Sequence, residues 1–398
     1  MRGNSVFTQA VHAGEGGPRP DFSPVVTPIH NSVVYLYDRV ETLHEILSGD
    51  RPGYVYSRYA NPTTAALEAA VAVLEGGGST VAFASGMAAI HAALLATGLR
   101  PGDTVVAARD LYGVTYTLLT EVMTALQVRT IFVEIARTQE AVRVLEKERP
   151  RLLLLETMSN PLLVVPDLPA LAAGAHAAGA RVIVDNTFST PYLLRPLEHG
   201  ADLVVHSLTK YLGGHDDVTG GAVVGRGELA EKARRLAQVL GAILGPNEAW
   251  LVHRGLKTFA LRMRAHCDNA SQVAAWLAGQ KAVAAVHYPG LPSYPQHATA
   301  SRLFRPGSFG GMVAFDLRNA TPEAALGVMG RLRLILPGTT LGCVHSLILY
   351  PARTSHRGLS TEQRASWGIG EGLLRLSVGI EEPADIQADL EQALGAAS

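Results

Sequence analysis

Two periods of apolar residues alternate along this chain. Short, nearly unbroken β-rich runs occur at Thr80–Ala84, Thr104–Ala107, Thr130–Val133, Arg151–Leu155, Arg181–Val184 and Leu203–Val205. Helical periodicity fills most of the gaps between them. Apolar strands without polar alternation, separated by helices, predict a parallel sheet buried on both faces. The first long helix is expected to open at Asn61-Pro62, with Asn as N-cap and Pro in the first turn, and to stop at Gly76–Gly78. After Gly221–Val224 the pattern changes. A long helical stretch is expected over roughly Asn247 to Gln280. Strands at Met312–Asp316, Leu347–Leu349 and Leu373–Val378 follow, with a last amphipathic helix after Pro383. The expected architecture is α/β: residues 61–250 form a large domain and residues 251–398 a smaller C-terminal α/β domain.

The first sixty residues lack such periodicity. They are rich in Gly and Pro, including Gly14, Gly16, Gly17, Pro18, Pro20, Pro24 and Pro28. They also hold Tyr54, Tyr56 and Tyr59 around Arg58, more aromatics than disordered tails carry. Residues 1–60 are therefore expected to form an arm packed on a neighbouring subunit. Composition adds exclusions. Of 398 residues, 47% are hydrophobic and 17% charged, with a formal net charge of −1. That supports a large core and gives no bulk electrostatic pull toward nucleic acid. The two cysteines, Cys267 and Cys343, have no metal-ligand spacing and are expected as buried free thiols. No apolar segment follows Arg2 as a secretory signal would, and no run is long enough to span a bilayer. A soluble cytoplasmic protein is expected.

In an open parallel sheet, ligands gather beyond the carboxyl ends of the strands. The residues expected there are Ser85-Gly86-Met87, Arg109 to Gly113, Glu156 to Pro161, Asp185-Asn186-Thr187 and His206 to Lys210. Their types match one cofactor, pyridoxal 5'-phosphate (PLP). PLP needs a lysine amine to bind its aldehyde, a carboxylate against its pyridine nitrogen, an aromatic face for its ring, and hydroxyls with a helix N-terminus for its phosphate. Lys210, Asp185 and Tyr112 meet the first three needs; Ser207, Thr209 and the amides of Gly86 and Met87 meet the last. Taken singly, each has a plainer reading as surface lysine, turn aspartate or helix cap. Their joint placement carries the argument.

The string from Ser207 through Lys210 to His215 resembles the lysine signature of the Cys/Met-metabolism PLP enzymes, the group of cystathionine γ-lyase, methionine γ-lyase and cystathionine γ-synthase. Tyr56–Thr63, Ala84–Ile90, Leu111-Tyr112-Gly113, Val184–Thr187 and Arg375–Gly379 resemble further motifs of that family, in order, over nearly the whole chain. The resemblance implies the aspartate-aminotransferase-like fold type I and a homotetramer built as a dimer of dimers. Lys210 would bind the cofactor and shuttle protons. Asp185 would pair with the pyridinium. Tyr112 would stack on the ring and assist proton transfer. Ser85 would belong to the phosphate cradle. Asn160 would contact the ring hydroxyl and the substrate. Arg375 would clamp the substrate α-carboxylate, and Thr340 and Leu341 would line its pocket. Tyr56 and Arg58 would reach the phosphate of a neighbouring subunit, and Tyr56 would join Lys210 and Tyr112 as a catalytic residue.

The chain departs from the family at positions that bear on substrate. Val114 stands where methionine γ-lyases typically have cysteine. Thr339 stands where cystathionine γ-lyases and γ-synthases usually place glutamate, and Thr340 where cystathionine β-lyases tend to have tryptophan. Met158 replaces a usual proline and His345 another glutamate; His345 reads either as a packing residue or as a pocket group titrating near neutrality. The expected reaction is α,γ-elimination from a sulfur amino acid, giving a 2-oxo acid, ammonia and a thiol. γ-Replacement on an O-acylhomoserine is the alternative. A remoter reading comes from Val223–Ala230, which fits G-x-G-x-x-A and would suggest an NAD-dependent oxidoreductase. A metal site among His199, His206, His215, Asp216 and Asp217 lacks a helical i, i+4 His pair, so no metal is expected.

Overall fold

Among the described residues twelve strands follow in order: β1 (Ser79–Phe83), β2 (Thr104–Ala108), β3 (Arg129–Val133), β4 (Leu152–Glu156), β5 (Arg181–Asp185), β6 (Leu203–Ser207), β7 (Gly221–Gly225), β8 (Val283–His287), β9 (Met312–Leu317), β10 (Leu336–Pro337), β11 (Leu347–Leu349) and β12 (Leu373–Ser377). The structure is a computed structural model and describes residues 4–14 and 24–395; the Gly16–Pro20 part of the leader lies outside the described residues. The apolar runs locate the sheet strands to within a residue or so. Two strands escape that reading. β8 is mostly half-buried or exposed and built largely of alanine and valine, and β10 is only two residues long.

The described residues divide into two units, Met1–Gly98 with Asp202–Phe259, and Leu99–Ala201 with Ala260–Ser398. In the first, β7 lies between β1 and β6 and runs antiparallel to both, with Ser79 and Leu203 opposite Gly225. No helix separates β6 from β7, in keeping with their antiparallel pairing, since parallel neighbours are usually joined through one. This removes the basis for the dinucleotide reading. A helix, Glu228–Leu240, does follow β7, but the parallel βαβ unit that the glycine fingerprint needs is not there. Asn61 caps the helix Pro62–Leu74 as expected, its side chain accepting from the Thr63 N–H at 2.9 Å. Its amide also donates to His30 O at 2.7 Å, tying part of the leader to the helix. The expected long helix is two, Pro246–Leu256 and Phe259–Ala278. The first closes with Lys257 N–H on Arg254 O and Thr258 N–H on Gly255 O, the tighter turn that ends many helices.

In the second unit β5, β4, β2 and β3 are neighbours in that order, all parallel. β4 is buried at every position, which explains its unbroken leucines. The other sheet has the order β10-β11-β12-β9-β8, antiparallel except for the β10–β11 pair. Its core holds Val313, Phe315, Leu374, Leu376 and Ile386, all fully buried or nearly so. Burying one such side chain contributes about 1.5–3 kcal/mol. Cys267 and Cys343 are buried free thiols, and burial pushes the Cys267 thiol up to about 12. No helix among the described residues is long and apolar enough to cross a membrane.

Candidate active site

The expected site residues divide between the two units. In the first unit the chain leaves β1 and turns at Ser85 into the helix Gly86–Ala96, with Ser85 Oγ accepting from the Ala88 N–H at 3.1 Å. The same edge receives the end of β6, where Ser207 begins the turn to Lys210. Two glycines permit this approach. A Cβ on Gly86 would sit 3.0 Å from Ser207 Cβ, and a Cβ on Gly221 would strike Ser85 O. The turn is closed by Lys210 N–H on Ser207 O at 3.2 Å, and Thr209 Oγ1 accepts from Gly220 N–H at 3.0 Å. Behind it, a Cβ on Gly255 would strike Gly213 O, so the lysine segment lies directly on the helix Pro246–Leu256. Ser85, Gly86, Met87, Ser207, Thr209 and Lys210 thus share one edge. It offers hydroxyls, a helix N-terminus and a half-buried amine.

Tyr56 and Arg58 turn elsewhere within this unit. Arg58 donates to Gln238 O at 2.5 Å and lies over the rings of Tyr56 and Tyr59, 5.6 and 4.8 Å from their centroids. Tyr56 is exposed.

In the second unit the chemistry lies at the carboxyl ends of β2, β4 and β5. Glu156 and Asp185, the last residues of β4 and β5, are register partners. Asp185 Oδ1 accepts from Thr187 N–H at 2.9 Å, and Glu156 Oε1 accepts from Tyr112 N–H at 2.7 Å. Burial first, then the negative charge of Asp185, holds the Glu156 carboxyl well above the usual carboxylate range. Arg375, on β12 and 3% exposed, donates to Asn160 Oδ1 at 2.8 Å and to Thr340 O at 3.3 Å. Nearby His356 is pushed down to about 4, by burial first and then by the Arg375 charge. Tyr112 lines a cavity of about 650 Å³ together with Val114, Thr339, Arg353, Ser355 and His356. Leu341 is buried. Asn160, Arg375 and Thr340 are therefore brought together, and Tyr112 and Asp185 both neighbour Glu156. Pattern reading assigned no role to Glu156 or His356. The signal available for Glu156 was a lone charged residue closing the apolar run of β4.

The chain matches the Cys/Met metabolism PLP-dependent enzymes over residues 7–395. It is 42% identical over 394 residues to an L-methionine gamma-lyase of Pseudomonas putida, covering 98% of this chain and 97% of that one. It is 44% identical over 389 residues to a cystathionine gamma-synthase of Mycobacterium bovis, covering 98% and 96%. A solved structure of cystathionine gamma-lyase from Micromonospora echinospora superposes with a TM-score of 0.90 at 39% identity, covering 99% of this chain and 100% of that one.

The fold is accordingly that of the fold type I PLP enzymes, α/β with a mostly parallel central sheet. The chain belongs to the Cys/Met metabolism PLP-dependent enzymes; it is a trans-sulfuration-type carbon–sulfur lyase with PLP as its cofactor. Its residues fit that cofactor. At the edge of the first unit the absence of side chains at Gly86 and Gly221 lets the Ser85 and Ser207 segments close on one another, so that hydroxyls and a helix N-terminus of the kind a phosphate needs lie together. The register pair of buried Glu156 and half-buried Asp185 suits a cationic ring nitrogen, since two carboxylates on adjacent strands disfavour ionising together.

Proposed function

We propose that this enzyme carries out α,γ-elimination on a sulfur amino acid of the cystathionine, methionine or homocysteine type, releasing a 2-oxo acid, ammonia and a thiol. The observation that carries the reading is Arg375. Its guanidinium is buried, held by Asn160 and Thr340, and set beside a neutral His356. A buried fork of that kind suits the α-carboxylate of an amino acid.

PLP supplies an electron sink that weakens the bonds at Cα. The roles fall to this chain's residues as follows. Lys210 holds the cofactor and, once freed, moves protons at Cα and Cβ. Asp185 keeps the ring nitrogen protonated. Tyr112 covers the ring and assists proton transfer. Ser85, Ser207, Thr209 and the N–H groups of Gly86 and Met87 take the phosphate. Asn160 touches the ring hydroxyl and, with Arg375, Thr340 and Leu341, orients the substrate. Tyr56 and Arg58 complete the phosphate site of a neighbouring copy.

Residues 1–60 act as the arm that reaches that copy, residues 61–250 as the PLP-binding domain and residues 251–398 as the smaller domain. The assembly is a homotetramer of two dimers. Exposed Val25, Leu36, Val40 and Leu47 support an arm covered by another copy, at 92, 93, 78 and 61% exposure. The compartment is the cytoplasm, in keeping with two free cysteines; neither nucleic acid nor membrane is a partner.

A second reading, γ-replacement on an O-acylhomoserine, is favoured by Thr339. It lines the Tyr112 cavity without the carboxylate expected of a cystathionine enzyme. The test is a turnover panel of cystathionine, methionine, homocysteine, cysteine and O-acylhomoserines with and without a thiol, scored for 2-oxo acid and for the thioether product of replacement. Release of 2-oxo acid from a sulfur amino acid alone supports elimination. Turnover of an O-acylhomoserine with a thiol, and none of cystathionine or methionine alone, overturns it.

A further inference from the structure

Tyr112 presents an aromatic ring that is 42% exposed, and no side chain caps the short helix Gly113–Thr117 that follows it. An exposed ring that must cover a cofactor has to be positioned through its backbone. Two contacts do so. At Gly113 the chain lies so close to Ser355 O that no Cβ fits. At Tyr112 itself the N–H donates to Glu156 Oε1 at 2.7 Å. Glu156 is 8% exposed and shares its register with Asp185 on the neighbouring strand. Register partners on adjacent parallel strands lie about 4.8 Å apart and point to the same face. Ionising both would place two like charges side by side with little water to screen them. Asp185 is the less buried of the two. Asp110 adds a third acid to this edge, itself raised by burial and tempered by Ser159 and Arg109.

We propose that Glu156 is a positioning residue, a neutral carboxyl that fixes Tyr112 through its backbone N–H and leaves Asp185 as the single negative charge of the pair. The proposal rests on the reading of Tyr112 and Asp185 as cofactor residues. It goes further by assigning Glu156 a task that requires its oxygen and forbids its charge. Asp185 and Asp110 are the titratable groups that bear on it, and the Tyr112 backbone N–H is its hydrogen-bond donor.

The test compares Glu156→Gln and Glu156→Ala as holoenzymes. Glutamine keeps the acceptor for Tyr112 N–H and is neutral; alanine removes the acceptor. The alanine variant is expected to bind PLP about ten-fold more weakly, with a displaced visible band and faster hydrogen exchange at the Tyr112 amide. Glutamine is expected to restore all three. A protonated-carboxyl infrared band present in the wild type is expected to be missing from the glutamine variant. If glutamine fails as badly as alanine, or no such band is found, the charge of Glu156 is needed and the proposal falls. If alanine matches the wild type in band, affinity and exchange, Glu156 only fills space and the proposal also falls. Should alanine not fold, Glu156→Met, which keeps the side-chain volume and lacks the acceptor oxygen, takes its place with the same outcomes expected. A wild type that takes up no PLP would overturn the cofactor roles instead, while amide exchange and the infrared band would still report on Glu156.

Discussion

The first unit gathers donors: the N-terminus of the helix Gly86–Ala96, the hydroxyls of Ser207 and Thr209, and the amine of Lys210. The second gathers acids at the ends of its parallel strands and holds the buried guanidinium of Arg375 on Asn160. Both edges follow a single rule, that chemistry collects where strands end. They differ in what they were built to receive. The donor edge depends on close backbone approach, so its sensitive positions are glycines. The acid edge depends on which buried groups carry charge, so its sensitive positions are titratable.

The largest break is expected at Lys210. Lys210→Ala should remove the visible band of the lysine-bound cofactor and lower kcat by about 10³-fold or more, because covalent attachment and proton transfer go together. A visible spectrum with steady-state rates checks this. Next comes Arg375→Lys. It keeps the charge and loses the fork, and it should raise KM for an amino-acid substrate by about ten- to a hundred-fold with a smaller change in kcat.

Acid should then separate the two edges. His266 and His356, both in the second unit, are held neutral with pKa values pushed down to about 4 by burial. The unfolded chain protonates them near 6.5 and the folded chain does not. Stability is therefore complete above about pH 6.5 and falls as pH drops toward 4, by up to about 3 kcal/mol for each histidine. Urea melts across that range should flatten in a His356→Gln variant. On the donor edge, Gly221→Ala should cost about 1–3 kcal/mol at any pH, since the new methyl meets the Ser85 carbonyl. The smallest effect is expected at Asn61→Ala, about 1 kcal/mol by thermal melting, from loss of a helix cap.

Pattern alone located β2, β4, β5 and β6 because each is a buried apolar run. The residues just past them were legible because a polar group directly after such a run has few places to be. It failed where tertiary context overrode local signal. The stretch around Lys257-Thr258 keeps helical periodicity, yet the first helix closes there with tighter three-residue hydrogen bonds and two helices result. The Gly225–Ala230 fingerprint has the right local shape, yet β7 runs antiparallel to its neighbours, which no local pattern records. Glu156 could be seen as a charge at a strand end. Its pairing with Asp185 follows from register, and register is set by the sheet.

The sequence by itself determined the α/β class, the strand ends and the polar residues that follow them, because burial and backbone preference are local demands written into residue type. Only the tertiary structure decided which of those residues meet. Arg375 reaches Asn160 across more than two hundred residues of chain, and Glu156 lies beside Asp185 because β4 and β5 are neighbours. The charge a buried group carries depends on such neighbours, since a second charge a few ångströms away and the loss of water together set its protonation.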